Sequence, residues 1–95
     1  MVVHLVLFRF NDESKGQIDE AVHRLKSMVG VVEVIRELKV GRDFLHLERS
    51  FDVGLSVTFD SRKDLEVYDH HPGHVPVKQF LGPLLEKSVS VDFEL

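Results

Sequence analysis

The first strand of this chain constrains its fold most, because that strand is apolar on both of its alternating faces. One face carries three apolar residues, and the other carries three more beside a histidine: Val3, Leu5 and Leu7, then His4, Val6, Phe8 and Phe10. A strand that is apolar on both sides is typical of the middle of a sheet with both faces covered. The segment 2–10 is therefore predicted to be a central strand, and each face needs a cover.

The rest of the chain supplies a cover for one of these faces. We predict a helix between Asn11 and Gly30, strands over residues 31–41 and 52–59, a short helix from Ser61 to near His71, a helix beyond Pro72 that is kinked at Gly82-Pro83, and a closing strand over residues 88–95. The order strand, helix, strand, strand, helix, strand is that of the ferredoxin-like fold, in which helices cover one face of a four-stranded antiparallel sheet. We predict an α+β protein with a single domain over residues 1–95.

The second face of the central strand has no cover within one chain. Val3, Leu5 and Leu7 would face water there, although large apolar patches on a protein surface usually mark an interaction site. A second copy, packed sheet to sheet by a two-fold axis, covers this face most economically. The sequence therefore predicts a homodimer.

Composition excludes several classes of partner. The 16 acidic and 12 basic residues give a net charge of -4 without any Lys/Arg block, whereas a nucleic-acid surface needs clustered basic residues. The first strand is too short to span a bilayer and has no basic leader, so we predict no membrane partner. There is no cysteine, and a reducing cytoplasm is the simplest location for such a chain.

The candidate chemistry lies between residues 65 and 75, which contain the only tyrosine and three of the six histidines. Pro72 and Gly73 are expected to form a bend after the short helix, with Tyr68 and His74 on either side of it. In isolation, such a tyrosine is more often a core residue, and such a histidine more often a cap or surface residue. Residues alone therefore leave a structural and a catalytic interpretation open.

Zinc binding is a second interpretation of the histidines at positions 70, 71 and 74. His70 and His74 are four residues apart, but Pro72 interrupts the helix that would place them on one face. No carboxylate stands at the offset of a His-Glu-x-x-His motif. We predict no metal site.

Several short motifs, taken together, resemble one known family. They are His4-Leu5-Val6-Leu7-Phe8-Arg9-Phe10, Val40-Gly41-Arg42-Asp43, Glu48-Arg49-Ser50-Phe51-Asp52, Phe59-Asp60-Ser61, Leu65-Glu66-Val67-Tyr68, His71-Pro72-Gly73-His74-Val75 and Val91-Asp92-Phe93-Glu94. In order and spacing, across essentially the whole chain, they resemble the stress-responsive A/B barrel family of dimeric α+β barrel proteins. The resemblance implies a ferredoxin-like protomer and a dimeric barrel, and most bacterial members have no assigned reaction.

The resemblance also implies a catalytic pair. Plant members that cyclise polyketides without a cofactor carry an acid–base tyrosine and histidine in a Y-x-x-H-P-x-H pattern, which matches Tyr68 and His74 here. His71 matches the same pattern, and we expect it to fix the bend. His4 matches a histidine in the family's pocket.

We therefore predict a small-molecule site between the helices and the sheet. His74 would act as the base and Tyr68 as the hydrogen-bond donor, towards a small apolar or phenolic carbonyl compound and without a cofactor. The predicted pocket residues are His4, Val6, Phe8, Leu55, Val57, Phe59, His71, Phe80 and Leu84. The alternative is a non-catalytic, stress-related dimer that serves stability or assembly, in which the same rings only lock the bend.

Overall fold

A computed structural model describes all 95 residues. The elements are β1 (Val2–Phe10), a 3₁₀ helix (Asp12–Gln17), α1 (Ile18–Lys26), β2 (Glu37–Arg42), β3 (Val53–Phe59), α2 (Arg62–His70), α3 (Val75–Leu81), a second 3₁₀ helix (Gly82–Leu84) and β4 (Leu85–Glu94). The four strands form one antiparallel sheet in the order β2-β3-β1-β4. The predicted ferredoxin-like α+β fold is confirmed. None of the helices combines the length and the apolar character that crossing a membrane requires.

The first strand has the central position and the two faces that its sequence predicts. β1 pairs with β3 on one side and with β4 on the other. On the side of the helices, Val6, Phe8 and Phe10 are buried. On the other side, Leu5 and Leu7 remain 36% and 39% exposed. One protomer therefore covers only one face of its central strand.

The core lies between the helices and that inner face of the sheet. β3 contributes one buried residue at every second position: Val53, Leu55, Val57 and Phe59. From α1, Ala21 and Leu25 pack against them, and Tyr68 of α2 closes the same cluster. Full burial of an aliphatic side chain contributes about 1.5–3 kcal/mol, so this alternating face is a main source of stability.

The predicted strand over residues 31–41 is wrong in its first half. Gly30 does adopt a left-handed backbone, with φ of 84°, but α1 has already ended at Lys26, and turns continue to the start of β2 at Glu37. The Val32 N–H donates to the Met28 carbonyl at 2.9 Å, so its hydrogen bond is local and no ladder can form there. Val32 is nevertheless buried, which explains the apolar character of the segment.

The predicted kink at Gly82-Pro83 is also wrong. α3 ends at Leu81, a 3₁₀ turn follows, and β4 begins at Leu85, three residues earlier than the predicted start at Ser88. The Asn11 N–H donates to the Leu84 carbonyl at 2.9 Å and pulls this segment towards the end of β1. Asn11 therefore connects two chain segments and makes no side-chain cap.

Candidate functional site

A fixed bend joins α2 to α3. Ser61 caps the start of α2, where its hydroxyl accepts the Asp64 N–H at 3.2 Å. α2 ends at His70 because Pro72 forces His71 into an extended conformation, with φ of -66° and ψ of 137°. The bend thus returns the chain within four residues and places α3 beside the end of α2.

His71 holds this bend with both ring nitrogens. Its Nδ1 accepts the Gly73 N–H at 2.9 Å, so the proton of the neutral ring lies on Nε2, which donates to the Glu33 carboxylate at 2.9 Å. The backbone N–H of Glu33, together with this bond from His71, lowers the pKa of the Glu33 carboxyl. His71 therefore ties the bend to the turn before β2, and it does not line the cavity described below.

Tyr68 and His74 are stacked on each other across the bend. Their ring centroids are 3.9 Å apart and their planes differ by 20°. The two residues are only 1% and 8% exposed, and Phe59 packs against the tyrosine ring with centroids 5.1 Å apart. The bend thus brings together the two groups that the sequence places on either side of it.

The hydrogen bonds of His74 set its tautomer. Its Nδ1 lies 2.9 Å from the Tyr68 carbonyl oxygen, which can only accept, so Nδ1 carries the proton. Nε2 is then an unprotonated acceptor with no partner in the chain. Burial lowers the pKa of His74 and the charge of Lys78 adds to this effect, while the bond to the Tyr68 carbonyl opposes it. The ring is consequently neutral at pH 7 and able to take a proton.

The Tyr68 hydroxyl is a donor without a partner in the chain. Burial raises the pKa of the phenol, and the nearby Asp69 carboxylate raises it further. Such a phenol keeps its proton at every physiological pH. It can donate a hydrogen bond to a ligand oxygen, and the bond strengthens as negative charge develops on that oxygen.

Both rings face a cavity of about 290 Å³ between α3 and the sheet. Its lining residues are His4, Val6, Phe8, Leu25, Leu55, Tyr68, Asp69, His74, Lys78, Leu81, Gly82, Leu85, Ser88 and Ser90. The inner side is apolar, and the side formed by β4 is hydroxyl-bearing. A cavity that combines an apolar floor with a few polar groups is typical of small-molecule sites.

His4 brings a second imidazole to the same cavity. Its Nδ1–H donates a hydrogen bond to the Asp92 carboxylate of β4, and Nε2 has no hydrogen-bond partner in the chain. The His4 ring meets the Tyr68 ring edge-on, with centroids 5.9 Å apart. Tyr68 therefore stands between two histidines whose Nδ1 atoms are both engaged in hydrogen bonds.

The structure places the predicted site residues in two groups. Tyr68, His74, His4, Val6, Phe8 and Leu55 line the cavity, whereas Val57, Phe59, His71, Phe80 and Leu84 do not. Val57 and Phe59 are fully buried in the core, Leu84 packs against that core, and the Phe80 ring lies under the Arg24 guanidinium at 3.9 Å. These four residues pack in or against the core and do not line the cavity.

Sequence reasoning missed eight lining residues. They are Leu25, Asp69, Lys78, Leu81, Gly82, Leu85, Ser88 and Ser90. Two signals could have found some of them. Lys78 and Leu81 follow His74 at helical spacing of four and seven, and Ser88 and Ser90 form the polar half of the alternation in the closing strand.

The three clustered histidines point in different directions. His70 lies on the surface and contacts the Asp69 carboxylate at 3.8 Å, His71 is bound to Glu33, and His74 faces the cavity. No group of three or more His, Cys, Asp or Glu side chains has the arrangement that a metal ion requires.

Comparison with known proteins places these observations in a family. The sequence model of the stress responsive A/B barrel domain matches residues 2–95, in agreement with the resemblance noted from the motifs. Olivetolic acid cyclase from Cannabis sativa is 25% identical over 95 residues, which cover 97% of this chain and 94% of the cyclase.

Two solved structures share the fold over almost the whole chain. One from Bacteroides fragilis, described as a dimeric protein of unknown function with a ferredoxin-like fold, has a TM-score of 0.88 and 26% identity, and the match covers 99% of this chain and 95% of that one. Hydroxynitrile lyase from Passiflora edulis has a TM-score of 0.86 at 22% identity, over 99% of this chain and 92% of the lyase. At that identity the likeness to the lyase shows the fold alone.

Proposed function

Because the chain belongs to the stress-responsive A/B barrel domain family, we propose that it binds a small carbonyl compound in the cavity between its helices and sheet and catalyses proton transfer on it. His74 is the base, Tyr68 is the hydrogen-bond donor, and the chemistry requires only these two side chains. A cyclase-like reaction of this kind agrees with the name of the Cannabis sativa relative.

One observation carries this proposal, namely the stacking of Tyr68 and His74 in the lining of one cavity, with a hydroxyl and a ring nitrogen that have no hydrogen-bond partner in the chain. The bond from His74 Nδ1 to the Tyr68 carbonyl fixes which nitrogen is basic. A structural pair would use these polar atoms on the protein itself, as His71 does in the same bend. The free atoms of Tyr68 and His74 therefore favour a ligand.

The proposed reaction consists of two proton transfers, one to His74 and one from it. His74 Nε2 removes a proton from the carbon next to the carbonyl, and the electron pair of that C–H bond forms an enolate. The Tyr68 hydroxyl donates a hydrogen bond to the enolate oxygen. The imidazolium of His74 then returns its proton to that carbon. In a cyclisation, the enolate carbon instead attacks a second carbonyl carbon of the same ligand, the π bond of that carbonyl opens, and the imidazolium protonates the resulting alkoxide oxygen. The apolar walls exclude water from the charged intermediate.

We also propose that the protein works as a homodimer through the outer face of its sheet. This face is defined by six apolar residues that are adjacent in register: Val3, Leu5 and Leu7 of β1 with Phe93, Val91 and Val89 of β4. It is the uncovered face of the central strand, and a sheet-to-sheet pairing would bury it. The description of the Bacteroides fragilis protein as dimeric supports this arrangement.

Deuterium exchange tests the proposed chemistry directly. The probe is 4-hydroxyphenylacetone, a phenolic ketone, and its incorporation of deuterium next to the carbonyl in D₂O is followed by NMR. The parent protein should accelerate exchange over buffer, and His74→Ala and Tyr68→Phe should each lower the acceleration by a factor of about 100 or more. His70→Ala removes an exposed histidine of the same bend and is the matched control.

Melting temperatures of the same variants separate catalysis from a structural role. If the pair only locked the bend, His74→Ala would melt early while the probe bound it as it binds the parent. Exchange by the parent at the rate of buffer alone would contradict the proposed function.

A further inference from the structure

The cavity has one cation among its lining residues, and that cation belongs to the same helical face as His74. Lys78 follows His74 by four residues, which places both side chains on one side of α3. Its side chain is 44% exposed, so the ammonium group lies at the rim. A charged group at the mouth of a largely apolar cavity is typical of a group that orients a ligand.

The contacts of Lys78 hold its ammonium in place and leave capacity for a ligand. Nζ donates to the Asp69 carbonyl at 2.8 Å and to the Asp69 carboxylate at 3.3 Å. An ammonium group has three N–H donors, so one donor has no partner in the chain. The shorter bond anchors the group to the backbone, and the third donor is the one left for a ligand.

The opposite wall of the cavity supplies hydroxyl groups. Ser88 and Ser90 are paired in register with Phe8 and Val6, and their side chains therefore point to the inner face of the sheet. The apolar residues of β4 point the other way, to the outer face. This wall can therefore form hydrogen bonds with a polar group of a ligand, whereas an alkyl tail would pack poorly against its hydroxyl groups.

We propose that Lys78 binds a carboxylate group of the ligand while Ser88 and Ser90 bind a polar group at its other end, so that the cavity prefers a small carbonyl or phenolic carboxylate over its neutral ester. The volume of about 290 Å³ lies near the lower end of small-molecule sites, which suits one ring with short substituents. This inference rests on the proposed function only for the position of the ligand's ring in the cavity. It identifies Lys78 as a specificity-determining residue.

Titration with two matched probes tests the inference. The probes are 4-hydroxyphenylacetate and its methyl ester, followed by ligand-observed NMR at low and high salt. The parent should bind the carboxylate about fivefold more tightly, which is the magnitude expected for one partly exposed charge pair. Added salt should reduce this preference, because it screens an exposed pair.

Variants then assign the preference to named side chains. Lys78→Met keeps the apolar stem and removes the charge, so the two probes should bind it equally. Lys63→Met, at an exposed position of α2 away from the cavity, is the control and should keep the preference. Ser90→Ala should weaken binding of both probes about threefold, as expected for the loss of one hydrogen bond, and should leave the preference unchanged.

The outcomes separate this inference from the proposed function. Equal binding of both probes by the parent, an unchanged preference in Lys78→Met, or no binding of either probe would each overturn the carboxylate site. His74→Ala should lose exchange activity and retain the carboxylate preference. A parent without exchange activity, but with a preference that disappears in Lys78→Met, would remove the acid–base proposal and leave the carboxylate site standing.

Discussion

Substitution of Gly73 by alanine should disturb the bend that positions His74. A Cβ atom at this position would lie 2.8 Å from Val31 Cγ1, 3.1 Å from Val32 Cγ2 and 3.2 Å from His71 Nδ1. The first distance is shorter than real Cβ contacts allow. The Val31 side chain lies in the turn before β2, so either this side chain changes its rotamer or the bend and the turn move apart.

The magnitude follows from two opposing effects. Overpacking of this kind costs about 1–3 kcal/mol, and the lower entropy of the unfolded alanine chain offsets about 0.4–1 kcal/mol. We expect Gly73→Ala to lose about 1–2 kcal/mol of stability. For a domain of 95 residues, each kcal/mol corresponds to a change of about 4–8 °C in melting temperature.

Thermal unfolding of a small set of variants measures this effect. Val31 is 57% exposed, and Val31→Ala removes the closest methyl group at a cost of roughly 0.5 kcal/mol or less. The double variant Gly73→Ala, Val31→Ala should therefore recover part of the loss. Gly16→Ala is the control, because no heavy atom lies within 4 Å of its added Cβ. A Gly73→Ala protein that melts with the parent, or that Val31→Ala does not rescue, would refute the reasoning.

Three further outcomes are expected. The pKa of His74 measured by NMR should lie below 6.5, because burial disfavours the charged ring, and Lys78→Met should raise it. Since the unfolded state then binds more protons, stability should fall as the pH drops below about 6.5, and His74→Ala should weaken this dependence. Leu5→Lys should give a monomer by light scattering, because it places an unpaired charge in the proposed interface, whereas Val67→Lys on the surface of α2 should not. A chelator should leave the melting temperature unchanged, and a fall of many degrees would restore the zinc interpretation.

The sequence determines the fold wherever the hydrogen-bonding pattern and the apolar pattern agree. β3 alternates so regularly that its buried face follows directly from its residues, and the two apolar faces of β1 predict its central position. Residues 31–36 look like a strand because Val32 and its neighbours are apolar. They form turns because the N–H groups of Val31, Val32 and Ile35 bond to carbonyls three or four residues back, a choice that periodicity does not reveal.

The candidate site likewise has one part that the sequence predicts and another part that it does not. Pro72 and Gly73 predict a bend, and such a short bend brings Tyr68 and His74, which lie on either side of it, close together. The far wall of the cavity depends on contacts between distant segments. Ser90 reaches the cavity only because β4 pairs with β1 in one particular register, which the sequence of either strand does not specify alone.

This division separates the proposed acid–base pair from the groups that we propose to select a ligand. Tyr68 and His74 are six residues apart, and the bond from His74 to the Tyr68 carbonyl fixes base and donor as one local unit. Lys78 and Ser90 contact the cavity from α3 and β4, and the side chain of neither is hydrogen-bonded to the pair. Substitutions in these elements can change which ligand is bound without moving the base. A fold built in this way can carry different reactions in different relatives, which agrees with the cyclase and lyase names found on the same architecture.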